Sequence, residues 1–126
     1  MGQVYIKNAY VVTMNDQGTV YKNGGVLVDG DRITAVGKVD PALLRPDAEV
    51  LNGSGKYVLP GLVNTHVHTS QQLGRGLGDD VNLLTWLHER IWPYESNMTE
   101  EDSYISTLLC CLEQIRAGVT SFAEPG

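Results

Sequence analysis

Cysteine is scarce in this chain: there are two, and they are adjacent, Cys110 and Cys111. No disulfide framework and no thiolate metal site with spaced cysteine pairs follows from that. Both sit in an apolar helical pattern, where a thiol behaves as a small hydrophobe, so the reading is of a reduced, cytosolic protein. Positive charge is also short. Nine Lys and Arg face fifteen Asp and Glu, a formal net charge of −6. That balance argues against a nucleic-acid backbone or an anionic membrane as partner. No apolar run approaches the roughly 18 residues that span a bilayer. The N-terminus lacks the basic region and long apolar core of a secretory signal. Ile6 stands where N-myristoylation needs Ser or Thr. There are no internal repeats and no low-complexity stretches.

What is present is the composition of a folded protein, 42% hydrophobic and 19% charged over 126 residues, which excludes disorder and allows one ordinary domain. Residues 3–13 alternate imperfectly, with Val4, Ile6, Val11 and Val12, and predict a strand with a break near Asn8. Val26–Val28 and Ile33–Val36 flank Asp29-Gly30-Asp31-Arg32, a hairpin signal because glycine tolerates the positive φ of the turn. Residues 40–49 form an irregular link with Pro41 and Pro46. A short strand near Glu49-Val50-Leu51 and the turn Asn52-Gly53-Ser54-Gly55 follow. The first 55 or so residues therefore read as all-β.

The pattern then changes. Residues 57–63 are apolar on both faces, as in a strand covered on both sides of a parallel sheet. A Gly-rich loop, Gly74-Arg75-Gly76-Leu77-Gly78, follows. Asp80 is the expected cap of a helix carrying Leu83, Leu84, Leu87 and Ile91, which Pro93 should end. A second helix opens at Thr99, with Glu100, Glu101 and Asp102 in its first turn. Ile105, Leu108, Leu109, Leu112 and Ile115 form its expected buried stripe, and Gly118 fits the position just past its end. Residues 119–124 read as a strand. The second half is one βαβ unit, whose crossover should be right-handed.

The chemistry concentrates in Leu59-Pro60-Gly61-Leu62-Val63-Asn64-Thr65-His66-Val67-His68. On a strand, His66 and His68 point to the same face, with Cβ atoms roughly 6.6–7 Å apart. Two imidazoles so placed can converge on one ion. A His-x-His pair alone also fits two satisfied histidines at a strand end. This pair lies where an apolar strand passes into a polar, Gly-rich loop, the end of a strand at which α/β folds bind ligands.

The segment from Pro60 to His68 resembles the first barrel strand of the amidohydrolase superfamily. The upstream β segment with its Asp29-Gly30 turn resembles the small β-sandwich that precedes the family's metal-dependent barrel. Trp86-Leu87 and Pro93-Tyr94-Glu95 resemble the branch holding S-adenosylhomocysteine/methylthioadenosine deaminases, guanine deaminases and triazine hydrolases. The resemblance implies an α/β chain: residues 1–56 as part of a β-sandwich, and 57–126 as the first one or two strands of a (β/α)₈ barrel. It implies that His66 and His68 bind one catalytic divalent ion, usually zinc and sometimes iron. Such an ion lowers the pKa of a water and supplies hydroxide near neutral pH for attack on an electron-poor ring carbon. In the family, a further His and Asp ligand and the acid/base Glu come from later strands, so no catalytic residue can be assigned here.

The same resemblance implies a small-molecule substrate, a purine nucleoside derivative or related heterocycle, and allows a homo-oligomeric enzyme. Glu95 would contact ribose hydroxyls; it also reads as a solvated acid after a helix. Trp86 either packs over a substrate base or anchors its helix. Arg75 either orients a polar substrate or is solvated. Glu124 could face the same pocket, Asn64 and Thr65 should bond within the strand and loop, and His88 reads as a surface or pocket-rim residue. A complete (β/α)₈ barrel takes about 250 residues, so the chain is expected to be an N-terminal portion of a longer hydrolase. Alone, it should bind metal weakly and associate through open strand edges. Deamination of an adenosine derivative is the favoured activity. A triazine- or guanine-type aminohydrolase and an inactive truncated product remain the alternatives.

Overall fold

The computed structural model describes residues 2–125 and divides into two compact units, residues 1–60 and 61–126. The first unit is a five-stranded mixed sheet. Its strands are β1 (Gln3–Val12), β2 (Val20–Asp29), β3 (Arg32–Gly37), β4 (Glu49–Asn52) and β5 (Tyr57–Val58). β1 is central. β2 pairs with it antiparallel and carries β3 on its far side, while β4 and β5 run parallel to its other edge, one after the other.

The break expected near Asn8 is a bulge. Ile6 pairs with Val26 and Ala9 with Gly24, so β1 holds one residue more than β2 across that interval. Asn8 takes φ 60°, a left-handed conformation that Asn tolerates better than most residues. The extra residue reverses the phase of the strand. Ile6, Ala9 and Val11 therefore face one core with Val26, Val28 and Val58, although Ile6 and Ala9 are an odd number apart. On the other edge of β1 the turn between β4 and β5 fills the same place. Gly53 donates to the Lys7 carbonyl at 2.7 Å, and a Cβ on Gly53 would stand 2.7 Å from that of Ala9. The hairpin forms as expected, with Asp29 opposite Arg32 and Gly30 at φ 63°. Gln3, 3% exposed, holds the proline-containing link: its side chain accepts from Arg45 N–H at 2.8 Å and donates to the Leu43 carbonyl at 3.2 Å.

The second unit holds β6 (Leu62–Asn64) and β7 (Val119–Phe122), paired parallel, with helical segments between them. These are a 3₁₀ segment (Thr69–Gly74), α1 (Leu83–Thr85), a π-helical stretch (Trp86–Ile91), α2 (Trp92–Ser96) and α3 (Glu100–Arg116). The strand–helix–strand reading of this half holds. Thr99 caps α3 in a capping box with Asp102, and Gly118 follows the helix at φ 82°. Among the described residues no helix is long and apolar enough to cross a membrane.

Four expectations need correction. Residues 57–63 are not one strand: β5 joins the first sheet and β6 the second, with Pro60-Gly61 between them. The cap of α1 is Asn82, whose side chain accepts from the N–H groups of Leu84 and Thr85, while Asp80 takes φ 58° in the loop before it. Pro93 does not end the helix. The π turn sends the Trp92 N–H to the Leu87 carbonyl, five residues back, and Pro93 then opens α2 where a missing N–H is tolerated. Finally, the buried face of α3 is Ser106, Cys110 and Gln114, while Ile105, Leu108, Leu112 and Ile115 are 48–71% exposed. On this face the 3₁₀ segment hydrogen-bonds to Ser106, and Gln114 bonds to Asn64 and to Cys110 Sγ, so polar contacts take the place of large apolar side chains.

Candidate metal and substrate site

β6 ends at Asn64, and His66 and His68 lie just beyond it rather than on it. Parallel pairing still governs their position. The Ala123 N–H donates to the Asn64 carbonyl at 2.9 Å, and the Val67 N–H donates to the Ala123 carbonyl at 3.2 Å. The ladder thus runs past both strand ends and keeps the histidine segment extended. Asn64 fixes the start of that segment: its Oδ1 accepts the His66 N–H at 3.2 Å, and its Nδ2 donates to Gln114 of α3 at 3.3 Å. Local bonding by Asn64 matches the expectation.

The imidazoles of His66 and His68 sit side by side, ring centroids 5.1 Å apart and close to perpendicular. His66 is exposed and His68 half-buried. Glu124, two residues past β7, stands behind His68, its Oε1 3.8 Å from Nδ1. Its other oxygen accepts the Thr69 N–H at 2.5 Å. Two adjacent imidazoles with a carboxylate beyond suit a divalent ion of the zinc type, which prefers nitrogen donors with a carboxylate behind the ring. Among the described residues no group of three or more His, Cys, Asp or Glu could hold a metal ion by itself.

The chain leaves the site through the 3₁₀ segment, which α3 holds in place. Ser106 Oγ accepts the Gln72 N–H at 2.9 Å and donates to the Thr69 carbonyl at 3.1 Å. Thr107 reaches Thr69 Oγ1 at 3.2 Å. Arg75 pairs with Glu113 of α3 and donates to Gln72 Oε1 at 2.7 Å. The hydrogen bond between Arg75 and Glu113 raises the Arg75 pKa and holds the Glu113 carboxyl below the ordinary glutamate range. Arg75 is therefore engaged in fastening the loop to α3.

Glu95, on α2, comes back to this segment. Its Oε1 accepts from Gln71 Nε2 at 2.7 Å. It also lines an open groove of about 630 Å³ together with Ser70, Met98, Ser103, Tyr104 and Thr107. The structure thus joins Glu95 to the segment that directly follows His68. Trp86 is elsewhere, with its indole against Gly78, where a Cβ would collide with the ring. It does not line the groove with Glu95. His88 is exposed and packs edge-on against Trp92, centroids 4.5 Å apart.

Sequence reasoning missed Gln71 and Ser106. Gln71 carries no motif signal. Ser106 does leave one: with Cys110 and Gln114 it forms a stripe at four-residue spacing, opposite the large apolar side chains.

The amidohydrolase family profile matches residues 57–126. The 5'-deoxyadenosine deaminase of Methanosarcina mazei is 44% identical over 125 residues, covering 98% of this chain and 28% of that protein. A 5-methylthioadenosine/S-adenosylhomocysteine deaminase of Bacillus cereus is 47% identical over 117 residues, 93% of this chain and 27% of that protein. Among solved structures, an adenosine deaminase from Xanthomonas campestris with bound zinc superposes with a TM-score of 0.87 at 31% identity, over 99% of this chain and 29% of that one. The chain spans just over a quarter of the length of these relatives. The profile match over more than half the chain, on a fold shared with a solved deaminase, places it: the chain belongs to the amidohydrolase family.

Proposed function

We propose that this chain is the part of a metal-dependent aminohydrolase that carries half of the metal site and one wall of the substrate pocket. Hydrolytic deamination of an adenosine derivative is the reaction. The side-by-side imidazoles of His66 and His68, directly past the C-terminal end of β6, carry the reading. That is the end of a parallel strand at which barrel enzymes place their chemistry. On this reading residues 1–56 are part of a β-sandwich and 57–126 the opening of a (β/α)₈ barrel.

His66 and His68 hold the divalent ion, zinc or iron, through neutral ring nitrogens. When bound, such an ion supplies Lewis acidity and a nucleophilic water at neutral pH. Glu95 binds the sugar: an ionised carboxylate accepts hydrogen bonds from two vicinal hydroxyls, and Gln71 already holds one of its oxygens in place. Trp86 anchors its helix on Gly78, with its ring turned to packing. The free thiols of Cys110 and Cys111 suit a reducing compartment such as the cytoplasm.

The relatives' names support nucleoside substrates: 5'-deoxyadenosine for one, methylthioadenosine and S-adenosylhomocysteine for another. A graft tests the proposal. The chain replaces the matching segment of the Methanosarcina mazei enzyme, to which it is 44% identical over 125 residues. Ammonia release from the three nucleosides is expected, with guanine and a chlorotriazine left unreacted. Turnover of guanine or the triazine in preference to the nucleosides would overturn the substrate assignment.

A further inference from the structure

Glu124 has no part in the binding roles above, yet its geometry is over-determined. The residue on its N-terminal side, Ala123, is tied to the histidine segment through both its N–H and its C=O, to Asn64 and Val67. One carboxylate oxygen is fixed by the Thr69 N–H at 2.5 Å. The second oxygen lies 3.8 Å from His68 Nδ1, with each side chain about 33% exposed. Thr69 is itself tied to α3 through Ser106 and Thr107. The carboxylate is therefore held by the scaffold, independently of the imidazole it faces.

We infer that Glu124 is a positioning residue for His68. It keeps the proton on Nδ1 and turns the unprotonated Nε2 outward as the metal-binding nitrogen. This rests on the reading of His68 as a metal ligand. The chemistry is general: a ligating imidazole donates its second N–H to a carboxylate or carbonyl, which fixes the tautomer and ring orientation and raises the basicity of the ligating nitrogen. At 3.8 Å the contact is longer than a hydrogen bond. At that range the negative oxygen still favours an N–H over a lone pair on the ring nitrogen that faces it. His66 receives no such partner through its backbone neighbour Asn64, whose oxygen is spent on the main-chain N–H. The two imidazoles are thus supported differently, and the inference applies to His68 alone.

The test uses the full chain with nitrogen-15-labelled histidine. Long-range proton–nitrogen NMR spectra above the imidazole titration range report the tautomer, and a cobalt(II) titration read by absorbance reports metal affinity. The wild-type chain should show His68 mainly protonated on Nδ1. Glu124→Gln keeps the size and one oxygen for Thr69, and presents an amide NH₂ to the ring, so it should move the proton to Nε2. It should also weaken cobalt binding by about 10–100-fold. Glu124→Asp, which keeps the carboxylate, should recover the Nδ1-protonated form. An unchanged His68 tautomer in Glu124→Gln would overturn the inference. A cobalt titration indifferent to His66→Ala and His68→Ala, with the tautomer shift intact, would instead overturn the metal-site reading and leave the pairing standing.

Discussion

Ser106 and Thr69 are joined across the second unit by a buried hydrogen bond of 3.1 Å, from a serine hydroxyl that is fully shielded from solvent to a backbone carbonyl. The same hydroxyl accepts the Gln72 N–H. Ser106→Ala leaves both a carbonyl and an N–H without their partner. Each buried polar group so stranded costs about 1–3 kcal/mol. Urea denaturation of the dilute chain should show a lowered midpoint for this variant. A midpoint equal to that of wild type would mean the 3₁₀ segment is held by other contacts.

Gly61 precedes β6, and the side chain of Thr120 in β7 occupies the space where a Cβ on Gly61 would stand. Gly61→Ala forces the two strands apart at the base of the histidine segment. Overpacking of this kind costs typically about 1–3 kcal/mol. Thr120→Gly, which clears the side chain including the Cβ 2.6 Å away, should restore much of the stability lost in Gly61→Ala when the two are combined. Additive losses would show that the two positions do not share the space.

The capping box of α3 makes the helix sensitive to acid. Hydrogen bonds from the Thr99 hydroxyl and backbone hold the Asp102 carboxyl below its ordinary value. A depressed carboxyl contributes stability at neutral pH, and that contribution is lost as pH falls from the ordinary aspartate value through the lower folded one. Circular dichroism of α3 helicity should therefore fall in the acid range, and Asp102→Asn should flatten that limb. Thr99→Ala removes the cap itself, a loss of about 1 kcal/mol. An acid limb identical in Asp102→Asn would locate the sensitivity elsewhere, with Glu113 the next group to substitute.

The outward face of α3 predicts association. Ile105, Leu108, Leu112 and Ile115 are roughly half to seven-tenths exposed, and in the second unit β6 and β7 pair only with each other among the described residues. Contiguous apolar surface and open strand edges both favour contact between chains. Sedimentation should show concentration-dependent association, reduced in a Leu108→Lys, Leu112→Lys variant. A monodisperse monomer at high concentration would contradict it.

The sequence made the order of elements legible, and for physical reasons. The Asp29-Gly30 turn, the Thr99 cap and Gly118 are local signals, set by backbone conformation and nearby hydrogen bonds. The break at Asn8 was legible as an interruption, but its effect, bringing Ile6 and Ala9 to one face, depends on the partner strand. The α3 stripe failed differently. Helical periodicity finds two unlike faces and cannot tell which one a neighbour covers. Here the covered face is the polar one: the 3₁₀ segment bonds to Ser106 and Asn64 bonds to Gln114, on the face that also carries Cys110. Pro93 failed because a π turn absorbs the proline, and nothing in the local residues announces it. At the site, His66 and His68 were legible as a pair. Gln71 and the geometry of Glu124 were not, because both depend on chain segments brought together from 24 and 55 residues away.

Metal content tests the central claim most directly. The grafted enzyme is purified with zinc, dialysed, and its bound metal counted per chain. One divalent ion per chain is expected, with loss of the ion and of ammonia release in His66→Ala and in His68→Ala. A full complement of metal and activity in the double variant would contradict the account, since the pair would then be two histidines at a strand end and nothing more.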